Sequence, residues 1–73
     1  MDEQSFLVAA VYTEHFYNGF RNHHIVRFIK SVSREEAVGK FLASQSVKKA
    51  SAGLSMAVEP QAFSTVEIES NAR

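Results

Sequence analysis

The chain's 73 residues predict an α+β domain, a three- or four-stranded mostly antiparallel sheet in the order β-β-α-β-β with one helix packed on one face. Three stretches carry this expectation. Phe6 to Tyr12 is apolar at both parities, as a strand covered on two sides must be. Tyr17-Asn18-Gly19-Phe20 is a hairpin signal, because a type I′ turn needs positive φ at both central residues and Asn-Gly tolerates it. Ser33-Arg34-Glu35-Glu36 reads as a capping box: the Ser33 hydroxyl accepts from the amide of residue 36 while Glu36 reaches back, and two acids sit at the positive end of the helix dipole.

Each element follows from its local pattern. The first strand, Phe6 to Tyr12, belongs in the middle of the sheet, and His24 to Lys30 returns beside it. With Asn18-Gly19 as a two-residue loop, Tyr17 pairs with Phe20, which sets Val11 opposite Val26, Ala9 opposite Phe28 and Val8 opposite Ile29. The helix runs from Arg34 to between Gln45 and Lys49, with Ala37, Val38, Phe41 and Leu42 as its apolar stripe, and Gly53 lies past its end as the reversal residue. Gly39, inside the helix, marks either close approach to the sheet or plain tolerance. Leu54 to Val58 alternates and stops at Pro60, giving a third strand, and Thr65 to Glu69 alternates as a fourth edge strand or a tail. A right-handed crossover makes the third strand parallel to the second and neighbour to the first, in the order 2-1-3.

Residues 1–73 form one domain, with 1–5 and 70–73 expected to be disordered. At this length only roughly 60% of the unfolded surface is buried, so the core is thin. The sequence holds no cysteine, so no disulfide or thiolate metal site supports that core, and a reducing, cytoplasmic setting is expected. The longest apolar run is far shorter than a membrane helix, and Met1-Asp2-Glu3 has the wrong charge for a secretory leader. Net charge is zero but unevenly placed: residues 15–49 carry seven bases and two acids, a balance of +5 that the two ends offset. That split reads as ends folding back on the middle, or as a basic face for an acidic partner.

The layout is similar to that of small phage-encoded accessory proteins, such as the T7-type inhibitor of host RNA polymerase and some anti-CRISPR proteins. The resemblance runs over residues 6–60, through Phe6 to Tyr12, His24 to Ser31, the Ser33-Arg34-Glu35-Glu36-Ala37 helix start and Leu54 to Pro60. It implies a lone domain that inhibits a host complex by occluding a larger partner. Those inhibitors work through acidic surfaces, which this basic middle does not match, so no binding residue is carried over.

Chemistry-bearing residues are sparse. There is no cysteine nucleophile, Gly-x-Ser-x-Gly elbow or phosphate-cradling glycine loop, so no catalytic residue, cofactor or small-molecule substrate is expected and the chain reads as non-enzymatic. His15, His23 and His24, with Glu14 nearby, fall short of the converging ligands a metal needs. The sheet itself is more informative. Leu7, Ala9, Val11, Val26 and Phe28 share one face, and Phe6, Val8, Ala10, Tyr12, Ile25 and Ile29 share the other. One helix cannot cover both, so the uncovered face should meet a second copy or a larger protein. With the helix placed over the first set, the expected partner-binding residues are Phe6, Val8, Tyr12, Ile25 and Ile29, joined by Tyr17, Phe20 and Arg21 at the hairpin tip. The alternative is single-stranded nucleic acid, stacked on Phe16, Tyr17 and Phe20 with Arg21, Arg27, Lys30 and Arg34 on the phosphates.

Overall fold

A computed structural model describes residues 2–66 and residue 68. Two strands, two helices and a strand follow one another: β1 (Gln4–Phe16), β2 (Gly19–Ser31), α1 (Arg34–Ala43), α2 (Gln45–Ala50) and β3 (Ser55–Ser64). The sheet order is β2-β1-β3, and both neighbours run antiparallel to β1, so β3 is parallel to β2 as the crossover rule requires. β1 starts at Gln4, so Gln4 and Ser5 are ordered strand rather than a loose terminus; the expected disorder of 70–73 lies outside the described residues.

Three expectations need correction. Of the three or four strands expected, three form among the described residues, and the fourth does not: Thr65, Val66 and Ile68 are helical, and β3 instead runs on through Pro60 to Ser64. Proline is tolerated because β3 is an edge strand with register shifts between its partners Ala9 and Val11 and again between Val11 and Tyr12, so its missing N–H interrupts no regular ladder. The helical segment is also two helices. Ser44 is extended (φ −65°, ψ 132°), ending α1 and starting α2, and its hydroxyl meets that of Ser46 at 3.0 Å. Serine side chains compete for backbone partners and favour such ends.

The turn differs too. Phe16 pairs with Gly19, so Tyr17 and Asn18 form the loop, and no residue there has positive φ. The register is therefore Val11 opposite His24, Ala9 opposite Val26, Leu7 opposite Phe28 and Val8 opposite Arg27.

Of the capping box, the Ser33 half is present: its hydroxyl accepts from the Glu36 amide at 3.1 Å. The Glu36 carboxylate turns along the helix to Lys40, 3.2 Å away. Lys40 also lies 3.7 Å from Glu3, so the acidic start of the chain does fold back on the basic middle. Gly53 has φ 77° and reverses the chain after α2. Gly39 is exposed with open space where a Cβ would sit, so it is a tolerated glycine and marks no close approach.

The core is one cluster: Phe6, Val8, Ala10 and Tyr12 from β1, Ile25 from β2, Ala37 and Phe41 from α1, and Val47 from α2, with Ile29, Leu54 and Ala62 packed against it. Of the expected stripe, Ala37 and Phe41 are buried, Val38 is half-buried and Leu42 is exposed. The break at Ser44 explains the exchange, since it lets α2 turn back and set Val47 over the sheet. Ser31 is fully buried and its hydroxyl has no partner among the described residues, a desolvation cost of about 1–3 kcal/mol.

Candidate interaction face

Both helices lie on one side of the sheet. The molecule spans 47 × 29 × 15 Å, and the short dimension accommodates a sheet and a single helical layer. The covered side is the one bearing Phe6, Val8, Ala10, Tyr12 and Ile25. This inverts the expected partner surface. Phe6, Val8, Tyr12 and Ile25 are buried in the core and Ile29 packs against it, so none of the five forms an outer docking surface.

The bare face is built in rows across the three strands. Phe28, Leu7 and Phe63 make one row, Val26, Ala9 and Gln61 the next, His24, Val11 and Val58 the third, and Asn22, Thr13 and Ser55 the fourth. Phe28 is 73% exposed, Val58 48%, and Val26 and Phe63 43% each, while Leu7, Ala9 and Val11 between them are half-buried. At the paired positions of this face Lys30 is the only Lys, Arg, Asp or Glu among the described residues. These apolar side chains form one contiguous block across the three strands rather than scattered surface hydrophobes.

The edges offer less. β3 is interrupted by two register shifts and Pro60. β2 is long and regular, but two of its carbonyls are occupied: Arg27 donates to Val26 O at 2.7 Å and Lys40 Nζ donates to Lys30 O at 2.8 Å. A bulge, a proline and cationic side chains are the usual means of stopping strands from adding to a sheet.

Beyond the helices the hairpin tip projects. Tyr17 is fully exposed and Phe20 largely so, as expected for contact residues. Arg21 stacks over the Phe16 ring with its guanidinium carbon 5.8 Å from the centroid, Thr13 donates to Asn22 Oδ1 at 2.9 Å, and His23 meets Glu14 at 2.9 Å. These cross-strand contacts hold the two strands together.

The residues proposed for nucleic acid do not converge on one surface. Phe16 and Arg21 lie on the helix side of the tip and Lys30 and Phe20 on the bare side. Arg27 reaches Ser46 at 3.4 Å and Arg34 donates to Ala62 O at 2.6 Å across to β3. His15 and His24 share the bare face but sit four residues apart along the hairpin ladder, and no group of three or more metal-ligating side chains is found among the described residues. An open groove of about 330 Å³ lies between the start of α1 and β3, lined by Arg34, Glu35, Val38, Pro60 and Phe63 among others.

Val58, expected in the third strand, and Phe63, beyond its expected end, complete the bare face, a placement the sequence reading did not make. The bulge around Pro60 hides their common face from a simple alternation, because it shifts the register between Val58 and Gln61. No helix among the described residues is long and apolar enough to cross a membrane. No family model, curated protein or solved structure matches the chain.

Proposed function

We propose that this chain is a small, non-enzymatic protein-interaction module that binds through the bare face of its sheet. The observation that carries the reading is the uncharged block of Phe28, Leu7, Phe63, Val26, Ala9, Val11 and Val58, uncovered in a fold whose helices lie on the other side. Water-exposed side chains of this kind gain roughly 1.5–3 kcal/mol each when a partner covers them. A module of one thin domain acts by covering a surface on a larger assembly, as the inhibitors it resembles do, and the lack of cysteine fits a reducing cytoplasm.

The test compares faces. Protein binding should be lost with Phe28→Asp and Phe63→Asp and kept with Lys48→Glu and Lys49→Glu on α2; binding that ignores the first pair removes the reading.

A single-stranded nucleic-acid reading has one observation in its favour, the exposed rings of Phe20, Phe28 and Phe63 on the same side as Lys30 and His24. Stacked bases need neighbouring cations to hold the phosphates, and here only the margin supplies one. Oligonucleotide affinity that falls steeply with salt would move the assignment to this reading; no retention at moderate salt keeps the protein partner.

A further inference from the structure

We infer that the partner of the bare face is a second copy of the chain, stacked face to face about a two-fold axis that runs across the strands at the row of Val26, Ala9 and Gln61. The inference rests on the protein-binding reading above and names its occupant. Three features of the face select a copy of itself.

The first is charge. Among the described residues, Lys30 alone carries a formal charge at the paired positions, and it stands at one end. An acidic or basic partner finds little to pair with at the centre, whereas an identical surface meets apolar groups with apolar groups. Rotation about an axis across the strands sets Lys30 over the Asn22 of the second copy and keeps the two ammonium groups about 25 Å apart by strand spacing.

The second is the size of side chains. This rotation keeps each strand over its own counterpart and reverses the rows. Phe63 then faces Val58 of the second copy, Leu7 faces Val11, and Phe28 faces His24, so large groups meet smaller or stackable ones. At the axis Ala9 and Val26 meet their twins, and each Gln61 amide can donate to and accept from the other. An axis along the strands would instead set Phe28 over Phe63 and Leu7 over Leu7, large groups against large ones. Sheets stacked this way cross at about 30°, which keeps the central rows in contact.

The third is area. Three strands are about 14 Å across and the stretch from Ser5 to Thr13 about 30 Å long, on the order of 400 Å² in projection before the protruding rings are counted. That is the size of a functional patch on a small domain and about half of the ~800 Å² per partner of a standard interface, so the contact is that of a weak, reversible dimer. Sideways assembly is disfavoured by Pro60 and the bulges on one edge and by Arg27 and Lys40 on the other.

The absence of native cysteine makes the test direct. Leu7→Cys and Val11→Cys proteins are mixed and treated with a short thiol cross-linker. The mixture should give on the order of tenfold more covalent dimer than either variant alone, because unlike positions face each other and like positions lie about 13 Å apart along the strands. Sedimentation at tens of micromolar should report twice the chain mass, falling to the chain mass with Phe28→Asp. Gln61→Glu, an exposed change that leaves the core intact, should dissociate the dimer in low salt and less so in high salt. Preferential cross-linking of Leu7→Cys to itself would overturn the arrangement. A species of chain mass at all concentrations, without cross-linking, would overturn the inference. In that case Phe28-dependent binding of another protein leaves the proposed function standing, and binding indifferent to Phe28→Asp removes both.

Discussion

Phe41 and Phe28 are the same residue on opposite sides of one sheet. Phe41 is fully buried among β1, β2 and the helices, and Phe28 is 73% exposed beside Leu7. Both faces of β1 are apolar, so composition does not separate them; what separates them is that two short helices supply cover for one side only. A sheet of this kind keeps its core on one face and leaves the other in water, so the proposed binding surface can be altered apart from the fold.

That separation can be broken most sharply at the core. Phe41→Ala should destabilise the fold by about 3–5 kcal/mol, a large share of the stability of so small a domain, and chemical denaturation would read it. Gly53→Ala should cost about 1–2 kcal/mol, because φ 77° places an alanine Cβ against the following carbonyl. Ser31→Ala should be neutral or stabilise by about 1 kcal/mol, since it removes a buried hydroxyl without a partner among the described residues. Gly39→Ala should stabilise by up to ~1 kcal/mol, because the site is helical, exposed and open. The smallest effect sharpens the comparison: Phe28→Ala should change stability by no more than about 0.5 kcal/mol at a concentration where the chain is dilute, while weakening self-association. A loss at Phe28 comparable to that at Phe41 would mean that the bare face belongs to the core after all.

Local chemistry was the legible part of the fold. The Ser33 cap, the reversal at Gly53 and the central place of β1 each depend on a few neighbouring residues, and the order 2-1-3 follows once a central β1 is combined with a right-handed crossover. The turn was not legible, because Asn18-Gly19 and Tyr17-Asn18 differ by one position and the contacts made by the rest of the ladder decide between them. That shift also bears on the face. The closing pair of a two-residue loop is hydrogen-bonded, and such pairs alternate along the strands. Moving the loop back one residue exchanges the hydrogen-bonded and free positions and so turns every side chain to the other side of the sheet. The misplaced docking surface and the misplaced turn thus go together. The second helix was hidden because a serine among helix formers does not say whether it interrupts them.

β1 precedes its two neighbours in the chain and is the central strand of the finished sheet, and its second neighbour, β3, is made after both helices. β2 can join it through a two-residue loop, but the pairing of Leu7 with Phe63 closes more than fifty residues of chain. Such distant closure is the slow step of a small domain. Until it occurs, β1 presents an open edge between two apolar faces, the arrangement most prone to wrong pairing. A chain halted at Gly53 should therefore form aggregates where the full chain folds, and the rate at which the full chain folds should respond to changes in β3 more than to changes in the hairpin turn.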